Sequence, residues 1–123
     1  MKLSEAILLG SIETEQTVGN LCDWRGTCAY GAALTAAGCL CTDEKTGYRP
    51  KVIALPIAWK WAFIKRYECP NCHKSDGVIL NGITHLNDTH LWTRPRIAEW
   101  VAQQERMLEV VSPIVEEVSY AIK

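Results

Sequence analysis

A small, mostly helical domain built around one embedded metal knuckle is what this sequence predicts, and three observations predict it. Apolar residues recur at helical spacing from Thr93 to about Val111. A run of small residues from Gly26 to Gly38 carries a cap residue at one end and a glycine stop at the other. Between them, Cys69-Pro-Asn-Cys72, then twelve residues, then His85 and His90, put two thiols and two imidazoles at the spacing that closes tetrahedrally on zinc. At 123 residues and 48% hydrophobic, residues 1–123 form one domain with a real core and little margin.

Leu3 to Ile12 reads as a short helix burying Leu3, Ile7 and Leu8, with Gly10 weakening its end. Residues 13–26 are polar and read as loop. In the helix over 26–38, Thr27 is the expected N-cap and Gly38 the stop, and its alanines with Gly31 make a smooth face for close approach of another element. Gly26 and Gly31 bracket four residues as in a phosphate loop, but Ala32-Ala33 stand where such a loop needs lysine and a hydroxyl. Cys28, near this helix N-terminus, has no base or orienting partner close in sequence, which argues against a nucleophile. Residues 52–55 suit a short strand, and Pro56 opens a helix to Tyr67. The C-terminal helices span 93–122: Thr93 caps, Pro95 lies in the first turn, and Ile97, Trp100, Val101, Leu108 and Val111 share one face. Ser112-Pro113 then restarts a short helix to Ile122, whose Ile114, Val115 and Val118 offer a docking or homodimer surface.

Cys69, Cys72, His85 and His90 are the candidate ligands, and the expected cofactor is a structural zinc ion. Pro70-Asn71 supplies a tight turn that aims both thiolates inward. An undistorted helix would set His85 and His90 about 140° apart. The helix must therefore loosen or end between them, where Asn87-Asp88-Thr89 stand. Cys39 and Cys41 with Cys69 and Cys72 form an alternative four-cysteine set, and His73 can replace one imidazole.

The segment 69–90 resembles a C2H2 zinc finger, with a short β-hairpin or knuckle at its start. It departs from that pattern where a finger keeps its core. The aromatic four residues after the second cysteine is Asp76, and the leucine three before the first histidine is Gly82. Val78, Ile79, Leu80, Ile83 and Leu86 are therefore expected to pack on the rest of the chain. The base-reading positions of a finger fall at Val78, Asn81 and Thr84, none of them the arginine that pairs with guanine.

Six cysteines without a secretory leader point to the reducing cytoplasm, where thiols and metal ligands are the rule. The uncharged stretch Gly26 to Thr42 is too weakly apolar for a membrane span. Net charge is −1, yet residues 45–74 hold seven basic groups against one acidic. Lys51, Lys60, Lys65, Arg66 and Lys74, beside Trp59 and Trp61, form a candidate nucleic-acid patch, since phosphates need cations and bases need stacking faces. The competing assignment makes the aromatics core and the cations their solvated side.

The stretch HLNDTHLWTRPRIAEWVAQQE (85–105), with MKLSEAILLG and GTCAYGAAL, resembles small uncharacterised proteins encoded in bacterial and phage genomes. Asn87 and Asp88 are expected to bond backbone at a helix corner that Trp92 anchors. A DNA-reading helix from Arg94 is the sharper alternative, opposed by Glu99, Glu105 and the acidic C-terminal third. The expectation is a non-enzymatic binding protein with a protein partner, of a kind that suits a phage inhibitor of a host system. Nucleic-acid binding through 45–74 is the alternative.

Overall fold

The computed structural model describes residues 1–19, 26–38, 40–43, 47–50 and 55–122, with 40–43, 47–50 and 109–122 as backbone alone. The chain is mostly helical, in the order α1 (Leu3–Glu13), β1 (Glu15–Gln16), β2 (Gly26–Thr27), α2 (Ala29–Ala36), β3 (Leu40–Asp43), β4 (Gly47–Pro50), a 3-10 helix (Ile57–Phe63), α3 (Ile79–Asp88) and α4 (Arg94–Ile122). β3 and β4 form an antiparallel hairpin, and β1 pairs in parallel with β2. That parallel pair stands where a loop is expected; its partner residues are eleven apart, so no local alternation announces it.

The smooth face expected of α2 meets α1. A Cβ on Gly10 would lie 1.8 Å from the Ala32 carbonyl oxygen, so the glycine is what lets the two backbones touch. Gly10 therefore sits at the centre of a helix contact instead of weakening a helix end. Leu3, Ala6 and Ile7 of α1 join Ala29, Ala33 and Leu34 of α2 and Ile97, Ala98, Trp100 and Val101 of α4 in one core. Burying large apolar side chains at about 25 cal/mol per Å² is the main stabilising term here.

α1 and α4 run antiparallel, and α4 holds both ends of α1. At one end the buried Glu105 carboxylate accepts from the Ser4 hydroxyl and from the Ser4 N–H at 3.3 Å. At the other, the buried Arg94 guanidinium donates to the Ser11 carbonyl at 3.1 Å, the Thr14 carbonyl, the Thr14 hydroxyl at 2.8 Å and the Glu15 carbonyl at 3.2 Å. An anion thus meets the helix N-terminus and a cation its C-terminus, as the helix dipole favours. Arg94 also reaches the Thr27 hydroxyl at 3.2 Å, which ties β2 to the same point. Every one of these contacts points inward, so Arg94 is not a base-reading residue. Arg94→Met is expected to cost about 3 kcal/mol in urea unfolding, because it strands several buried carbonyls at once.

Three boundaries differ from expectation. Thr27 belongs to β2, and the N-cap of α2 is Cys28, whose Sγ accepts from the Gly31 N–H at 3.4 Å. The segment after Pro56 is a 3-10 helix, and its buried residues Trp59 and Ala62 are three apart, the repeat of that helix. α4 continues through Pro113 as one helix of 29 residues; a proline removes one backbone bond without ending the helix here. Gly38, at φ 73, follows α2 as expected of a stop. The strand expected over 52–55 lies, apart from Leu55, outside the described residues.

Candidate metal centre

The first cysteine pair sits on a tight reversal between the 3-10 helix and α3. Arg66 and Val78 bridge in antiparallel fashion, the Cys69 N–H donates to the Lys74 carbonyl at 2.8 Å, and the His73 N–H returns to the Cys69 carbonyl at 2.9 Å. The Cys72 N–H points at Cys69 Sγ from 3.5 Å, placing a backbone dipole where a thiolate would carry charge. Cys69 is fully buried and belongs to the hydrophobic core, whereas Cys72 faces outward.

The second pair comes from the end of α3. The expected loosening is present: beyond Asp88, both the Thr89 and the His90 N–H point back to the His85 carbonyl, at 2.9 and 3.4 Å. The wider turn brings the rings together, with Nε2 atoms 3.0 Å apart and ring planes at 89°. Cys72 Sγ lies 3.4 Å from His85 Nε2, and one donor atom from each of Cys69, Cys72, His85 and His90 lies within 4.8 Å of the others. A tetrahedral zinc with bonds of about 2.0 Å to nitrogen and 2.3 Å to sulfur needs donor separations of roughly 3.3 to 3.8 Å. The four residues are close enough to hold one metal ion.

The donor chemistry fits a metal as well as the spacing does. Two imidazole Nε2 atoms facing each other can share only one proton, but both can offer lone pairs to a cation. Burial, with His90 and Lys74 nearby, lowers the affinity of His85 for a proton, so this ring stands in its ligating form at neutral pH. The Asn71 amide lies 2.7 Å from His90 Nδ1. The atom that faces Nδ1 is Asn71 Nδ2, a donor; with His90 coordinating through Nε2, Nδ1 carries the hydrogen, and the Asn71 amide turned over would present its oxygen as the acceptor that fixes the tautomer. Asn71→Ala is expected to weaken metal affinity by about 10- to 100-fold in a competition titration, with the helical signal of the metal-loaded protein unchanged.

Backbone strain marks the same place. Among the described residues, only His73 and Leu91 are non-glycine residues with positive φ, at 62° and 55°, and each directly follows a ligand. Such conformations persist where surrounding structure over-determines them. Leu91 is exposed, so Leu91→Gly is expected to raise stability by about 1 kcal/mol in the metal-loaded protein.

Gly82 explains how the segment manages without the finger's leucine. A Cβ there would lie 2.7 Å from the Tyr67 ring and 2.9 Å from the Trp100 ring, which meet edge to face at 6.2 Å. Tyr67 and Trp100 fill the space that leucine fills in a finger, so α4 supplies the missing core. Ile79, Ile83 and Leu86 are buried as expected, with Leu80 packed at the margin. The corner is closed by Asn87, whose Oδ1 accepts from the Ala29 N–H and Gln16 Nε2, both at 3.1 Å. Its Nδ2 donates to the Thr17 carbonyl at 2.8 Å and to Asp88 Oδ1, which also accepts from the Gly19 N–H. Trp92 is half-buried beneath the Arg96 guanidinium, 3.7 Å from the ring centroid.

His73 turns away from the donors, with Nδ1 3.3 Å from a Glu68 carboxylate oxygen. Cys39 lies outside the described residues, and Cys41 is described as backbone alone. Cys28 is buried, and that burial pushes its thiol up, away from nucleophile chemistry. The finger's reading positions are engaged locally: Asn81 Oδ1 accepts from the Val78 N–H at 2.9 Å, and the Thr84 hydroxyl points at the Leu80 carbonyl.

Two aromatic residues of the central segment, Trp59 and Trp61, pack on the core. Trp59 is completely buried, its Nε1 donating to the Met1 carbonyl at 3.1 Å and its ring edge-on to Tyr30, so it offers no surface to a base. Trp61 is half-buried against the core. Lys60 and Arg66 are exposed, Lys65 is half-exposed, and Lys74 lies 3.9 Å from Asp76. Lys51 lies outside the described residues. No described helix is long and apolar enough to cross a membrane. No protein-family model, no curated protein and no solved structure matches the chain.

Proposed function

We propose that this chain is a small, non-enzymatic regulatory or accessory protein, folded around one structural zinc ion, that acts by binding another protein. The observation that carries the metal half is the convergence of Cys69, Cys72, His85 and His90 on one point at the edge of the core. Two thiolates and two imidazoles in a tetrahedral set select zinc. Four protein ligands leave no position for a reactive water, so the ion would fasten the 69–74 turn to the end of α3 instead of performing chemistry.

The binding half is supported by the surface. Leu55, Ile57, Phe63 and Ile64 are exposed together around one apolar groove, and a grouped apolar patch of this kind marks an interaction surface. Burial of Trp59 removes the best stacking ring from the nucleic-acid alternative. The resemblance to proteins of bacterial and phage genomes suits an inhibitor of a host system. The test is affinity purification of the metal-loaded protein from its host, beside a salt titration with single-stranded DNA and RNA. The proposal expects a stoichiometric protein partner that Phe63→Asp releases. Copurified nucleic acid, lost when Lys60, Lys65 and Arg66 are neutralised, would overturn it.

A further inference from the structure

The four donors divide unevenly along the chain. Both sulfurs stand on one turn with only Pro70-Asn71 between them, and both imidazoles stand at the end of α3. A two-electron oxidation of the sulfur pair therefore removes half of the ligands, all from one element.

The two sulfurs also differ in access. Cys72 is exposed, whereas Cys69 is fully buried. On a metal, Cys72 keeps the thiolate character that makes a sulfur nucleophilic. It is the sulfur that an oxidant in solution meets first, and Cys69, with its Sγ within 4.8 Å, stands behind it as the resolving thiolate. The turn that carries them is closed by its own backbone bonds. The Cys69 N–H donates to the Lys74 carbonyl at 2.8 Å and the His73 N–H to the Cys69 carbonyl at 2.9 Å, so the pair stays adjacent without the metal. Cys28, the other cysteine whose side chain is described, is buried away from solvent and does not compete.

We infer that Cys69 and Cys72 form a redox switch for the metal: a peroxide converts the pair to a disulfide, and zinc leaves. The inference rests on the zinc reading above. In the first step the Cys72 thiolate attacks one peroxide oxygen; an S–O bond forms, the O–O bond breaks and hydroxide departs. In the second, the Cys69 thiolate attacks the Cys72 sulfur; the S–S bond forms, the S–O bond breaks and a second hydroxide departs. The sulfurs give up two electrons, the peroxide becomes two waters with two protons from solvent, and zinc leaves still as the divalent ion. His85 and His90 alone are half a coordination shell and do not retain it. A dithiol reductant reverses the oxidation by thiol–disulfide exchange.

The consequence for the fold is specific. Zinc joins the 69–74 turn to the end of α3, whereas the disulfide ties the turn only to itself. Oxidation uncouples the two elements, and the short loop that it closes restores little of the lost stability.

Hydrogen peroxide added to the zinc-loaded full chain tests the switch, with released zinc followed by a chromogenic chelator and the thiols mapped by mass spectrometry. One zinc is expected for two thiols lost, and the peptide carrying Cys69 and Cys72 should be lighter by two hydrogens. Zinc affinity of the oxidised chain should fall by more than about 100-fold, since losing a ligand's support alone costs about 10- to 100-fold. Dithiothreitol should restore it, whereas a chain stripped by a chelator without oxidation should take zinc up again directly. Amide exchange over 85–90 should quicken in the oxidised chain. Zinc retained under peroxide, release with other cysteines oxidised in place of this pair, or a disulfide-bearing chain that still binds zinc would overturn the switch and leave the zinc reading standing. A chain that takes up no zinc would overturn both.

Discussion

Replacing Cys69 by serine, or removing the metal with a chelator, is expected to lower the melting temperature by roughly 15 °C. Cys69 is fully buried within the core, so the site is part of the interior and not an appendage. Without the ion, the 69–74 turn and the two histidine rings lose their common attachment, while the strained residues His73 and Leu91 keep their cost. A ligand present at 1,000 times its dissociation constant stabilises by about 4 kcal/mol. In a domain near this size, each kcal/mol moves the midpoint by about 4 °C. Thermal dichroism with and without zinc measures the shift, and His73→Ala, outside the donor set, should leave it unchanged. Acid should act in the same direction. The folded protein holds the His85 proton less tightly than an unfolded chain does, so this ring favours folding above the ordinary imidazole range. That contribution fades as pH falls below about 6.5, when protons also compete with the metal.

Gly82→Leu, which restores the leucine of an independent finger, is expected to destabilise this protein by about 3 kcal/mol or more. The new side chain would occupy space already filled by the Tyr67 and Trp100 rings, and their edge-to-face contact cannot survive beside it. Urea unfolding of the metal-loaded variant measures the loss. Gly82→Ala should show part of it. A neutral outcome would mean that the two aromatics do not take the place of the finger core.

Local spacing made the site legible. The two-residue gap between Cys69 and Cys72 and the four-residue gap between His85 and His90 announce convergent donors, and the 140° mismatch announces a loosened helix end. Thr93 and Pro95 mark the start of α4, and the Arg96 N–H does point at the Thr93 hydroxyl, from 3.4 Å. What stayed hidden depends on partners far away in sequence. Arg94 reads as a surface cation until Ser11, Thr14 and Thr27, about 70 to 80 residues earlier, supply its acceptors. Trp59 reads equally well as a stacking platform or as core until Met1 accepts from its indole. Gly82 reads as a missing core because the rings that replace it lie on other elements. His73 is visible as a donor type, but its pairing with Glu68 and its absence from the four converging donors have no signal in the sequence.

X-ray absorption at the metal edge of the purified, metal-loaded protein tests the central claim most directly. Two sulfur scatterers near 2.3 Å and two imidazole nitrogens near 2.0 Å around zinc are the predicted shell. A protein that folds fully without metal, a shell of four sulfurs, or one containing a water oxygen would contradict it.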